Sequence, residues 1–453
     1  MKKNLASLAL VSAMALSLVA CGGNSGSSSG GAAPASGGGN DASGDVTNLT
    51  IWQPSDKETI ENWWIEKLDA WNSEHPEIQV HREAIDRSDS YAYDNKVATA
   101  VTSNDLPDIL FVDGPQVSYY AANGIIVPLD SYFSADDLSD FVDSTVAECT
   151  YDGKLYAISA TESSVALYYN KGYMEECGVD IAKLESYTAD APMTWSEFEA
   201  LAKQCTTDKY VGAHIVMDHG EGLPYALEPM YISNGKDYLS EDGSKAQGYV
   251  NSSEAVETTA FLASLIANGY ANVDPITDEF LNGACATEIQ GSWDVSVLEA
   301  ADFEWGVTYY PVSDKTKKPV SPCGDWAAAV TMNCGNVDAA GEFLQWLMSK
   351  ENVASYAAAI AKPASRSSAY DDPLMADYKE YPLTVFVNQL ENNAVPRPRT
   401  PSYATFSTDY AEAMTNIFSE AASNGTVDEA FIQTQLDNVA ASFEEDYNTY
   451  YGQ

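Results

Sequence analysis

The stretch "VTSNDLPDILFVDGPQVSYYAANGIIVPLD", residues 101–130, decides the fold. Its centre, Asp108-Ile109-Leu110-Phe111-Val112, is a short apolar run that suits a buried strand. The run ends at Asp113 in a polar loop. Beyond that loop the chain reads as a helix that ends in Gly124, before an apolar stretch and Pro128. Upstream, 49–52 is a short apolar strand. Ser55-Asp56-Lys57-Glu58 has the spacing of a capping box, serine first and glutamate three later. Ile60, Trp64, Leu68 and Trp71 come next at helical spacing, and Pro76 closes that unit. A strand is expected over 78–85 and a helix over 95–102. The order is β-α-β-α-β, which predicts a parallel sheet with helices on both faces.

The alternation continues downstream. Tyr151-Asp152-Gly153-Lys154 is a hairpin turn signal. A strand is expected over 165–170. Thr194-Trp195-Ser196-Glu197 is a second capping box, heading a helix with Phe198, Leu201 and Ala202 inside. The segments 256–267 and 339–348 read as helices. From residue 407 onward two amphipathic helices are expected, broken near Asn424-Gly425. No internal repeat is visible.

The chain has 453 residues and a formal net charge of −44. Such an acidic balance argues against nucleic acid, whose phosphates demand a basic face. It also argues against lying flat on an anionic bilayer. A solvated acidic surface that keeps the chain dispersed explains it. Seven cysteines and only four histidines are present, with no CxxC pair, so no metal site and no cofactor are expected. Cys323 and Cys334 are the nearest pair in sequence and are open to bridging or to being small core residues.

The N-terminus carries a separate message. Lys2 and Lys3 precede an apolar run over 5–20, the parts of a secretory signal. That run is short for a membrane span. Leu18-Val19-Ala20-Cys21 resembles the bacterial lipobox, which implies cleavage before Cys21 and lipidation of its thiol. Residues 21–44 are Gly, Ser, Ala and Asn for the most part and have no face to bury. They are expected to act as a flexible tether with a reach of roughly 25 Å.

Six further blocks carry a second resemblance. "LTIW" with "NSEHPEIQV", then residues 101–130, "YDGKLYAISATESSVALYYNKGYMEECGV", "MTWSEFEALAK", "IQGSWDVSVL" and "GDWAAAVTMNCGNVDAAGEFLQWLMSKENVASY" stand in an order similar to that of the family 1 extracellular solute-binding proteins of ABC importers. Maltose-binding protein is the best-known member of that family. The resemblance runs over nearly the whole chain from residue 47. It implies an α/β fold of two lobes with a ligand cleft between them, joined by crossing segments. Lobe one would be 45–161 plus 314–362, and lobe two 162–313 plus 363–453. Ligand would be captured by hinge closure and delivered to a membrane permease. A monomer outside the cell membrane, held there only through Cys21, is expected.

Sugars present hydroxyls around apolar faces, so a site needs aromatic rings to stack plus carboxylates and amides to bond. The chain supplies 28 Tyr and 9 Trp. Trp52 and Gln53 end the first strand, where open α/β sheets place ligands; a core role is the rival for Trp52. Asp113 ends its strand at an equivalent edge, with helix capping as its rival. The resemblance implies further candidates. Glu162 falls where sugar-binding relatives have an acidic side chain, with Ser163 its rival by one place. Tyr225, Trp293 and Tyr403 fall near aromatic positions, with Asp294 beside Trp293; Trp326 and its neighbour Asp325 are candidates because Trp326 follows Gly324 at a strand start. Gly291 lets backbone come close to Trp293. Arg366 reads as structural. Arg397 and Arg399 are open between surface ion pairs and bidentate capture of an acidic sugar.

Three functions compete. The leading expectation is a carbohydrate-binding component of an importer, with a neutral oligosaccharide as cargo and no catalysis. A polyamine or peptide binder of the same fold is the second, favoured by the acidic balance. A surface glycoside hydrolase with paired acids such as Asp113 and Glu162 is the third. There is no GxSxG, HExxH or phosphate loop to support an enzyme.

Overall fold

The computed structural model describes residues 46–55, 57–85, 92–275 and 278–452. The signal-like segment, Cys21 and the tether lie outside the described residues. The described residues form one compact unit.

Two sheets organise it. The first has the strand order Ile78–Ile85, Thr47–Pro54, Ile109–Asp113, Trp326–Val330, Ala157–Ile158. Its first three strands are parallel, as the β-α-β-α-β reading predicts. The wholly parallel sheet expected from sequence is not what forms. Trp326–Val330 enters antiparallel to both its neighbours, because it arrives from the other body. The second sheet has the order Trp305–Thr308, Val165–Asn170, Cys285–Gly291, Val211–His214. Val165–Asn170 is antiparallel to both its neighbours, and all six of its residues are buried.

Local chemistry accounts for most element ends. The helix Glu58–Glu74 buries Ile60, Trp63, Trp64 and Trp71 as one stripe. The capping box expected at Ser55 does not form. The cap position is Lys57, which makes no side-chain cap. Ser55 is instead held by its backbone N–H, which donates to the Ile85 carbonyl at 2.7 Å and prolongs the strand. The box at Thr194 does form, with each partner accepting from the other's backbone N–H. Asp152 and Gly153 adopt φ of +46° and +73° between Thr150–Tyr151 and Lys154–Leu155, as a two-residue hairpin requires. The C-terminal helices are Tyr403–Asn424 and Glu429–Tyr450, broken at left-handed Gly425.

Each sheet seeds its own core. Ile51, Trp64, Ile109, Leu110, Val330 and Phe343 belong to the first. Leu167, Phe198, Tyr231, Ile289, Tyr410 and Phe443 belong to the second. The chain leaves the first core at 159–164, returns through 321–325 and leaves again near the helix Leu383–Asn393. Ala364, Ala369, Met375 and Tyr378 pack in the first core, so the passage expected at 362/363 falls later. Isolated bridges tie the crossings together, Thr161 to Ala364 and Ser164 to Cys323.

The six described cysteines are free thiols. Cys323 is buried in a short strand paired with Ala394–Pro396, whereas Cys334 lies beyond the far end of Trp326–Val330. A whole strand separates the two, so their nearness in sequence is not nearness in space. Among the described residues, no helix is long and apolar enough to cross a membrane.

Trp64 is 2 % exposed and meets Phe111, Trp63 and Tyr356 edge-on or tilted. Trp64→Ala should cost about 3–5 kcal/mol, read as a lowered urea midpoint at an unchanged slope.

Candidate functional site

A cavity of about 480 Å³ opens between the two cores, where the first sheet's strand ends meet the crossing segments. Asp113 closes one strand and pairs in register with Trp326, the first residue of the next, so both project at the same edge. The second body contributes Trp293, two residues past its strand Cys285–Gly291. Ligands of open α/β sheets sit at such strand ends.

Two aromatic rings face this space. Trp293 and Tyr225 stand 6.0 Å apart at 33°. The indole lies against bare backbone at Gly291, where an added Cβ would come within 2.1 Å of its ring. Glycine is therefore required for this pose. Ser163 fixes the Tyr225 hydroxyl at 2.7 Å and also donates to the Gly324 carbonyl.

The polar lining is paired before any ligand arrives. Arg397 is 4 % exposed. Its guanidinium grips Asp113 at 2.7 and 2.9 Å and donates to Glu221 at 2.5 Å. It also lies 5.0 Å from the Tyr225 ring centre. Lys362 donates to Asp325 at 2.8 Å and stands 5.9 Å from the Trp293 ring, bridging the two bodies. Lys57 of the first body reaches Ser296 of the second. Asp218 accepts from the backbone N–H groups of Gly220 and Gly222 at the start of the helix Gly222–Ser233.

Beneath the cavity two glutamates are sealed. Glu162 is 1 % exposed and accepts from Thr145 and from the Ser163 N–H. Burial outweighs those bonds and pushes its carboxyl up to about 7. Glu148 is wedged between Gly114 and Gly324. A Cβ on Gly114 would fall 1.8 Å from its carboxyl carbon, and one on Gly324 2.9 Å from its oxygen. Burial, then the Glu162 charge, holds the Glu148 carboxyl well above the carboxylate range.

Of the residues singled out from sequence, Asp113, Tyr225, Trp293, Asp325 and Trp326 line the cavity, as do Arg397 and the rival Ser163. The others stand elsewhere. Gln53 is 4 % exposed and bonded to Arg82 and Tyr356. Trp52 packs on the first core with Lys96 over its ring at 4.3 Å. Tyr403 is fully buried one layer back, donating to Glu221 at 2.5 Å. Asp294 starts the short helix Asp294–Val297, its carboxyl pushed up to about 7 by burial and by neighbouring Glu288. Arg399 is exposed and donates to the Ala147 carbonyl. Arg366 pairs with Asp140 at 2.8 Å and bonds the Met348 carbonyl, the structural role expected. Lys57, Met217, Asp218, Glu221, Ile360 and Lys362 line the cavity without having been singled out. The helix-start signal around Asp218 and Gly222 was the one readable hint.

The model of the bacterial extracellular solute-binding protein family matches residues 68–383. A maltooligosaccharide ABC transporter solute-binding lipoprotein of Streptococcus pneumoniae is 23% identical over 357 residues, 77% of each chain. A maltotriose-binding protein of Pyrococcus abyssi is 21% identical over 322 residues, covering 68% of this chain and 65% of that one. Among solved structures, a cyclic alpha-maltosyl-1,6-maltose binding protein from Arthrobacter globiformis superposes with a TM-score of 0.73 at 24% identity, over 88% of this chain and 98% of the other. A solute-binding protein from Thermotoga lettingae bound with alpha-D-tagatose gives 0.72 at 21%, over 88% and 100%. These neighbours share the two-lobe fold.

The raised Glu162 carboxyl has a defined sign. Its contribution to stability is fully present below the ordinary value of 4.5 and is lost as pH rises through about 7. Urea unfolding at pH 4.5 and 7.5 should therefore show a smaller loss of stability with rising pH in Glu162→Gln than in the parent. The expected difference is about 3 kcal/mol. Equal slopes in the two proteins would contradict the assignment.

Proposed function

This chain belongs to the bacterial extracellular solute-binding proteins, and from that premise we propose that it captures a neutral oligosaccharide between its two bodies and passes it to the permease of an ABC importer. The carrying observation is the Trp293–Tyr225 pair set among carboxylates and ammonium groups in one cavity. Aromatic faces suit the C–H faces of pyranoses, and the charged rim suits their hydroxyls. The named relatives that bind maltotriose and maltooligosaccharides support the same cargo class.

Charge pairing favours a neutral ligand. Arg397 is already held by Asp113 and Glu221, and Lys362 by Asp325. A uronate would have to compete with these carboxylates, and a polyamine with these cations. Hydrolysis is disfavoured for a related reason. The Asp113 carboxylate is chelated by Arg397, and Glu162 is sealed below the floor. The acid pair imagined from sequence therefore does not face a substrate together, since only Asp113 reaches the cavity.

We place the hinge in the crossings 159–164 and 321–325 and around the helix Leu383–Asn393, so that ligand between the bodies draws them together. Lipidation at Cys21 would hold the body near its permease and raise its effective concentration there. The lipoprotein relative supports that anchor.

A thermal-shift screen of the purified chain against neutral oligosaccharides, uronates, polyamines and short peptides tests this reading. A neutral saccharide at a hundred times its Kd should add about 2.7 kcal/mol of stability. Trp293→Ala should weaken that ligand at least about 30-fold while leaving the unliganded melting temperature nearly unchanged. Stabilisation by polyamines or uronates alone would overturn the neutral-sugar reading.

A further inference from the structure

The helix Glu58–Glu74 starts on a residue that local physics disfavours. Lys57 holds its cap position, where Ser, Asp or Asn would bond the free N–H groups and where a cation opposes the helix dipole. Its backbone is extended and its side chain makes no cap bond. Residues that break a local rule are expected where they serve a site. The Lys57 ammonium is used across the cleft. Its Nζ donates to the Ser296 hydroxyl, and that hydroxyl donates to the Trp293 carbonyl at 2.9 Å. Lys57 belongs to the first body, whereas Trp293 and Ser296 stand at and within the short helix Asp294–Val297 of the second. Both Lys57 and Trp293 line the cavity. Trp293 is also fixed from its own side. The Tyr168 hydroxyl donates to the Gly291 carbonyl at 2.8 Å, and Gly291 is the bare backbone under the indole. Lys57 adds support from the opposite body. Asp294 feels the same ammonium: burial, Glu288 and Asp278 push its carboxyl up, and Lys57 pulls against them.

We propose that Lys57 is a positioning residue that latches the two bodies together by holding Ser296 and, through it, the Trp293 backbone. This rests on the reading of Trp293 as a ligand-stacking residue. The polarity of the relay fits a cation. A serine hydroxyl has one proton, here given to the Trp293 carbonyl, so what it still takes is a donor, and an ammonium is donor only. A charged donor also makes the stronger bond. Hinge opening must break the Lys57–Ser296 bond, because its partners lie on different bodies. The Ser296–Trp293 bond lies within one helix end and survives. The latch therefore favours the closed state alone, and it acts on ligand release rather than on encounter. It needs no contact between Lys57 and the ligand. A lysine that bonded sugar directly would act without Ser296.

The test compares the purified full chain with Lys57→Met, Ser296→Ala and the double variant. Without sugar, small-angle X-ray scattering should give all three variants a larger radius of gyration than the parent. With maltotriose as the probe, each single variant should release it about tenfold faster at a nearly unchanged association rate. The double variant should release it no faster than either single one, because both remove the same bond. Ser296→Thr keeps the hydroxyl and should recover slow release relative to Ser296→Ala. Additive losses, or a Ser296→Ala release rate equal to the parent's, would mean that Lys57 acts on the sugar directly and overturn the latch. Identical scattering from all four proteins overturns it as well. Failure of the parent to bind maltotriose counts against the cargo reading, and the scattering then decides the latch by itself.

Discussion

The buried guanidinium of Arg397 is the contact on which the cleft depends. It joins Asp113, the last residue of a first-sheet strand, to Glu221, which stands before a helix of the second body. A cation this deep is tolerable only because its donors meet carboxylates, and the carboxylates only because they meet it. Tyr403 donates to the same Glu221 oxygen as Arg397 and Ser407 to the other, which carries the network into the helix Tyr403–Asn424. Strand edge, cavity wall and C-terminal helix are thus one electrostatic unit. The aromatic wall leans on it as well, since Tyr225 packs over the same guanidinium.

Around that unit the site divides into two layers. The upper layer is side chains that meet the cavity, led by Trp293, Tyr225, Lys362 and Asp218. The lower layer is the buried acids Glu148, 3.8 Å from the Arg397 guanidinium, and Glu162, which accepts from Thr145 and the Ser163 N–H. Burial raises both carboxyls.

Much of the fold was legible because local signals agreed with one another. The apolar run before Asp113, the tryptophan stripe of 60–71 and the Thr194 capping box each point to a single local structure. Ser55 shows the limit. Its spacing was right for a cap, but a strand bond to Ile85 won. Site residues were legible where they end a strand or follow a glycine, as Asp113 and Trp293 do. Gln53 ends a strand too, yet Arg82 and Tyr356 draw it inward. Lys57, Glu221 and Lys362 were not legible at all. Their roles come from partners hundreds of positions away in some cases, as between Lys57 and Ser296, and no periodicity encodes such meetings.

Gly114 and Gly324 leave no room for anything but hydrogen around the Glu148 carboxyl. That packing makes the floor intolerant of variation, whereas Met217, Val297 and Ile360 at the rim are bounded by open space on one side. Attempts to retarget the receptor to a new cargo should therefore randomise the rim and leave the floor untouched. The chain behaves as a fixed chassis with an exchangeable lip, so that libraries built on floor positions would return mostly misfolded clones.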